Sequence, residues 1–255
     1  MTAQVTLCPR RAAGRRVAGF LLLVCLGACG GGTGDPSRPE GPLPVNTVVA
    51  PGTWVVLGSS SAVGVGATPG QGWVARLART QSVHAVQVQN LARGGSTTYA
   101  ALPAATTPPL DRPAPDPGRG LDSALALQPS LLILSFPSND TAAGYAAGET
   151  VGNLLTVRQA AAAAGVPTLV LGTQPRNDLA PSQREVLAAI DGALSGELGP
   201  CFVPLQPTLA GPTGGIHPDY AAGDGIHLND AGHALIAHQV QAALDGGLCV
   251  RPPGG

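Results

Sequence analysis

Three consecutive serines, Ser59, Ser60 and Ser61, stand directly behind an apolar run that ends in Gly58. Near the other end, Asp224-Gly225-Ile226-His227 sets a carboxylate three residues before an imidazole. A serine hydroxyl is a weak nucleophile until a base takes its proton, and a histidine does this best when a carboxylate holds its tautomer and steadies the imidazolium. A three-residue gap in a loop that opens into a helix lets the carboxylate fold back onto the ring of its own segment. Serine attack on an acyl carbon also creates an oxyanion, which needs donors already aimed at it. The N–H of Gly95, in Arg93-Gly94-Gly95-Ser96, and the side-chain amide of Asn139, in Pro137-Ser138-Asn139-Asp140, are suitable, and the nucleophile's own N–H is a third.

Taken singly, each group has a blander reading. The serines suit a turn that caps the next helix, with Ser59 or Ser61 as rivals to Ser60, and Asn139-Asp140 suits a turn after a strand. His227 can be a loop histidine satisfied by backbone, while His233 and His238 fall in a helical stretch where a structural role is expected. His217, Asp219, Asp224 and His227 form a conceivable metal cluster, although their spacing matches no recognised ligand pattern.

The elements that must position these groups alternate in type. Residues 53–57 and 130–136 are continuous apolar runs, as expected of strands buried on both faces. Further strands are predicted over 83–91, 166–171 and 201–205. Helices are predicted over 71–80, 118–127, 148–164, from a capping box at Ser182-Gln183-Arg184-Glu185, and from an Asn229 cap to about residue 244. Gly165, with Pro167 beyond it, ends the third of these. Six prolines within 103–117 make that segment a loop. Strands alternating with helices mean a parallel sheet covered on both sides, a three-layer αβα sandwich of about 200 residues. The polar groups sit at strand ends, where ligands bind in such sheets.

Gly58-Ser59-Ser60 with Gly64, the turn at 90–95, Pro137-Ser138-Asn139-Asp140 and Asp224-Gly225-Ile226-His227 together resemble the four blocks of the SGNH, or GDSL-type, hydrolases, in order and over about residues 53–244. The resemblance implies a five-stranded flavodoxin-like sheet and ester or thioester hydrolysis through an acyl-enzyme. It assigns Ser60 as nucleophile, His227 as base, Asp224 as its orienting acid, and Ser60, Gly95 and Asn139 as oxyanion donors. It implies neither a metal nor an organic cofactor. Two positions depart from the pattern: Ser59 replaces the usual aspartate before the nucleophile, and Pro137 the usual glycine two before the asparagine. Both bear on loop shape, since neither residue reacts. The four-residue gap to Gly64 favours Ser60 among the three serines.

Residues 1–28 hold four arginines, no acid, and an apolar run over 17–28 that is too short to span a bilayer, which needs roughly 20 residues. Leu26-Gly27-Ala28-Cys29 resembles a lipobox, implying a cleaved signal over 1–28, a lipid on Cys29, and anchoring in the cell envelope of a bacterium. Residues 29–50 read as a tether rich in glycine and proline, and 51–250 as the hydrolase domain. Beyond residue 28 the chain carries ten arginines, no lysine and fifteen acids, net −5, so a nucleic-acid partner is not expected. Cys201 and Cys249 remain, and in an exported protein they are expected to form a disulfide between the last strand and the C-terminal tail.

Tyr99, Tyr145 and Tyr220 are expected at the rim of the site, where they suit an acylated sugar. Arg176 suits an anionic group or, more simply, solvent. The favoured substrate is a small acyl ester, acetyl above all, on a small molecule or glycan. A thioesterase or lysophospholipase-like activity and a catalytically silent binding cleft are the alternatives.

Overall fold

The computed structural model describes residues 51–246 and residue 249. The expected signal peptide over 1–28, Cys29 and the expected tether over 29–50 lie outside the described residues.

Strands β1 (Gly52–Gly58), β2 (Val86–Asn90), β3 (Leu131–Ser135), β4 (Thr168–Leu171) and β5 (Phe202–Val203) form one sheet in the order β2-β1-β3-β4-β5, with every neighbouring pair parallel. This is the flavodoxin-like order, in which the chain reverses its direction of travel across the sheet between β1 and β3. The crevice beyond the carboxyl ends of those two strands is therefore the natural ligand site.

Along β1, Val55 and Leu57 enter one apolar cluster while Trp54 and Val56 enter the other; along β3, Leu132 and Leu134 oppose Leu131 and Ile133 in the same way. Both faces are dry, which explains why these strands are continuously apolar. One face is covered by α3 (Leu121–Ala126), α5 (Ala147–Ala163) and α6 (Pro181–Leu198), which contribute Leu121, Leu154, Val157, Ile190 and Leu194. The other is covered by α2 (Trp73–Gln81) and α8 (Asp230–Asp245), which contribute Trp73, Val74, Leu77, Ile236 and Val240. Three single-turn helices, α1 (Ser60–Val63), α4 (Asn139–Ala142) and α7 (Gln206–Leu209), follow strand ends.

The expected elements are present with shifted edges. The start of the predicted second strand is a 3-10 turn over Ser82–His84. The capping box at Ser182 is corrected by two residues: α6 begins at Pro181, and the Gln183 side chain accepts from the Ala180 N–H at 3.0 Å. Proline at the first helical position has no N–H to satisfy, so the helix starts there rather than after the serine. Asn229 does cap α8, accepting from the N–H groups of Ala231 and Gly232. Cys201 and Cys249 are joined in a disulfide; Cys201 lies in the 3-10 turn just before β5 rather than within the strand.

Candidate active site

At the end of β1, a side chain on Gly58 would meet the Ser135 carbonyl at 2.6 Å and Ala62 Cβ at 2.9 Å, so only glycine lets the chain turn this close to β3. The Ser59 N–H donates to that same carbonyl at 3.1 Å, and one helical turn follows, closed by Gly64 in the left-handed region at φ +94°. This turn separates the three serines. Ser59 and Ser61 are buried, and Ser60 presents its Oγ 3.0 Å from Nε2 of His227.

His227 is held from behind. Asp224 Oδ1 accepts from the N–H groups of Ile226 at 2.9 Å and His227 at 2.8 Å, and Oδ2 lies 2.6 Å from His227 Nδ1. The His227 N–H first, and then its ring, hold the Asp224 carboxyl well below the usual carboxylate range. An ionised carboxylate can only accept, so Nδ1 carries the proton and the Nε2 lone pair faces the serine hydroxyl. The loop after α1 packs against the same segment: a Cβ on Gly66 would meet the Leu228 carbonyl and lie 2.9 Å from His227 Cβ. The conceivable metal cluster does not form. His217 lies beside Asp219 at 3.6 Å, the Asp224 oxygens are committed to the 226–227 segment, and among the described residues no three His, Cys, Asp or Glu side chains converge as metal ligands.

The two remaining expected donors, Gly95 and Asn139, follow β2 and β3. A Cβ on Gly94 would sit 4.0 Å from Ser60 Cβ, which places the Gly94-Gly95 turn against Ser60. Gly95 has φ +80°, a conformation that favours glycine. Asn139 opens α4, and its Nδ2 donates to the Ser96 carbonyl at 2.9 Å, which ties the amide to the turn bearing Gly95. Nδ2 has a second hydrogen. The structure thus brings Ser60, His227 and Asp224 into one line, with the Gly95 turn and Asn139 beside it.

Residues 56–235 match the GDSL-like lipase/acylhydrolase family. The chain belongs to that family, and it is a hydrolase of ester bonds. It is 28% identical over 195 residues to the esterase TesA of Pseudomonas aeruginosa, covering 75% of this chain and 87% of that one. A crystal structure of TesA superposes with a TM-score of 0.59 at 25% identity, over 77% of this chain and 99% of the other. The fold is shared with a two-domain esterase active on acetylated mannans, with a TM-score of 0.51 at 19% identity, over 78% of this chain and 50% of that one.

Around the site of this GDSL hydrolase the structure corrects two expectations. Tyr99 and Tyr145 are not open stacking platforms. Tyr99 is buried and packs edge-on against Tyr145 with centroids 5.7 Å apart, and the Arg112 guanidinium lies 4.1 Å over the Tyr145 ring. Arg112 is itself paired with Glu149 through Nε at 2.6 Å and Nη2 at 2.9 Å, and Tyr99 donates to the same carboxylate at 2.9 Å. Chiefly through Arg112, the Glu149 carboxyl is lowered to about 2. These contacts pin the proline-rich loop to the start of α5. Tyr220 remains partly exposed, tilted against His217.

Arg176 is the second correction: it is 6% exposed, not solvated. Its Nε and Nη2 donate to Oδ1 and Oδ2 of Asp178 at 2.8 and 2.5 Å, and its Nη1 donates to Asn139 Oδ1 at 3.4 Å. The rest of this loop grips the histidine segment. Gln174 Nε2 donates to the Ile226 carbonyl at 2.8 Å, and the Asn177 N–H to the Gly225 carbonyl at 2.7 Å. Asp140, read from sequence as a turn residue, is also buried. It accepts from the N–H and hydroxyl of Thr98, and burial raises its carboxyl above the usual range. A loop arginine followed two residues later by an aspartate was the available signal for the first of these contacts. The Asp140 contact joins residues 42 apart and leaves no local pattern.

Proposed function

We propose that this GDSL hydrolase cleaves small acyl esters, acetyl above all, through a Ser60 acyl-enzyme. The observation that carries the reading is the Ser60 Oγ to His227 Nε2 distance of 3.0 Å with Asp224 behind the ring. As Ser60 Oγ bonds to the acyl carbon, its proton passes to Nε2, and Asp224 steadies the imidazolium. The negative charge on the former carbonyl oxygen is met by the N–H groups of Ser60 and Gly95 and the Asn139 amide. Collapse expels the alcohol, which takes the proton from His227. Water then attacks the acyl carbon with His227 as base again, releasing the acid and restoring Ser60.

A small acyl group on a glycan or small molecule is supported by the glycines and short polar side chains at the strand ends, and by the fold shared with an esterase active on acetylated mannans. A longer acyl chain, as in a thioesterase or lysophospholipase-like enzyme, is favoured by one feature: Val63 and Val65, just after the nucleophile, are exposed. The silent binding cleft is set aside by membership of a hydrolase family. Hydrolysis of p-nitrophenyl acetate, butyrate and octanoate by the full chain in detergent, with Ser60→Ala in parallel, decides between chain lengths. Acetate turnover abolished in the variant is expected; octanoate as the faster substrate overturns the acetyl reading.

The enzyme is further proposed to act from the cell envelope, tethered by a lipid on Cys29. The lipobox-like sequence supports this, and the Cys201–Cys249 disulfide fits an oxidising compartment. Metabolic labelling with an alkynyl fatty acid should mark the wild type and not Cys29→Ala.

A further inference from the structure

Asn139 contributes to acyl transfer only if its amide nitrogen, and not its oxygen, faces the oxyanion. An asparagine amide presents two nearly isosteric ends, and its rotamer alone does not select between them. Here two neighbours of opposite character make the selection. The Ser96 carbonyl can only accept, and it takes one hydrogen of Nδ2 at 2.9 Å. The Arg176 guanidinium can only donate, and its Nη1 points at Oδ1 from 3.4 Å. Turning the amide over would set oxygen against the carbonyl and –NH2 against a cation.

Arg176 is able to do this because it is itself fixed. Asp178 holds its Nε and Nη2 edge in a bidentate pair, and the side chain is nearly excluded from solvent. The loop that carries it is bonded at Asn177 to the Gly225 carbonyl and at Gln174 to the Ile226 carbonyl. One loop after β4 therefore touches both the oxyanion amide and the segment of Asp224 and His227.

We propose that Arg176, braced by Asp178, is a positioning residue for ester hydrolysis: it fixes the Asn139 amide with Nδ2 toward the oxyanion. The inference rests on the serine-hydrolase reading above. Arg176 acts through Asn139 and touches no reacting atom, so its effect belongs to the transition state and disappears when the amide is absent.

The test is a double-mutant cycle on p-nitrophenyl acetate, using the full chain in detergent. Arg176→Met is expected to lower kcat about 10- to 100-fold with KM changed less than about twofold, and Arg176→Lys to recover part of the loss. Made on Asn139→Ala, Arg176→Met is expected to change kcat less than about twofold. Equal losses in both backgrounds, or a loss expressed mainly in KM, overturn the proposal, because a merely structural arginine acts whether or not the amide is there. If Arg176→Met does not accumulate as folded protein, Asp178→Asn carries the same cycle. Its side chain is 40% exposed, and asparagine keeps one acceptor for the Arg176 guanidinium while removing the charge that fixes it. The expected result is a several-fold fall in kcat that depends on Asn139, and independence of Asn139 overturns the proposal. Ser60→Ala is run alongside: unchanged hydrolysis in that variant rejects the serine-hydrolase reading itself, whereas hydrolysis dependent on Ser60 but lacking the coupling rejects only the role of Arg176.

Discussion

At the scale of single residues, the site is a set of hydrogen bonds with one allowed polarity. Asp224 can only accept, which makes Nδ1 of His227 a donor and leaves Nε2 to take the Ser60 proton. Asp224→Asn keeps the shape but offers –NH2 or oxygen to Nδ1, so the useful tautomer is no longer enforced. A fall in kcat of roughly 10³- to 10⁴-fold on p-nitrophenyl acetate is expected, with KM little changed. Asn139→Ala removes one oxyanion donor and is expected to cost about 10²- to 10³-fold in kcat. These two variants separate proton transfer from charge stabilisation: with a less basic leaving group, such as a dinitrophenyl ester, the Asp224→Asn defect should shrink more than the Asn139→Ala defect. The groups proposed to react were legible because chemistry restricts residue type: Ser60, Asp224 and His227 stand in short motifs whose spacing is itself informative, and the structure brings them within hydrogen-bond reach. Their supports were not. Arg176 and Asp140 look like ordinary polar loop residues, and only contacts to Asn139 and to Thr98, 37 and 42 residues distant in the chain, show where they are held.

At the scale of elements, strand interiors were easier to read than boundaries. The continuous apolar runs of β1 and β3 follow from burial on both faces, a global requirement written locally. Helix starts depend on a few cap contacts, and at α6 proline at the first position outweighed the serine that follows it. Two helix-borne groups tie stability to pH in opposite senses. Asp191 on α6 accepts from the Thr173 N–H at 2.7 Å, and burial raises its carboxyl to about 6. Its folded value exceeds the unfolded one, so its stabilisation is present below about pH 4 and is lost as pH rises through about 6, at most about 3 kcal/mol. Asp191→Asn keeps the acceptor without the charge, so its unfolding free energy relative to wild type should rise between pH 4 and pH 7 in denaturant titrations. His233 on α8 accepts from the Trp73 N–H at Nδ1, 3.3 Å away, and donates from Nε2 to the Val65 carbonyl at 3.1 Å. Burial lowers its pKa, so the stability it contributes is present above about 6.5 and is lost as pH falls below that value. His233→Gln retains one donor and one acceptor but does not titrate; its Tm should fall less than that of wild type between pH 7 and pH 5.

At the scale of the whole molecule, the parallel sheet has two chemically different ends. All of the groups assigned to catalysis lie beyond carboxyl ends of strands, at the reversal between β1 and β3 where the topology opens a crevice. The disulfide lies at the other end. Cys201 immediately precedes β5, and Cys249 Sγ lies 3.3 Å from the carbonyl oxygen of Thr168, the first residue of β4. Closing 48 residues of chain restricts the unfolded state by about 4 kcal/mol in the chain-entropy model. The segment so closed contains Asp224, His227 and the whole of α8, although both cysteines pack in one apolar cluster and the buried Ile236 and Val240 of α8 in the other. Stability and catalysis should therefore separate. Reduction, or Cys201→Ala with Cys249→Ala, is expected to lower the unfolding free energy by about 2–4 kcal/mol, measured by denaturant titration, while kcat on p-nitrophenyl acetate at 25 °C stays within about twofold for protein that remains folded. A large fall in kcat in folded, reduced protein would mean that the order of the Asp224–His227 loop depends on the distant cross-link, contrary to the bonds from Gln174 and Asn177 that hold it from β4.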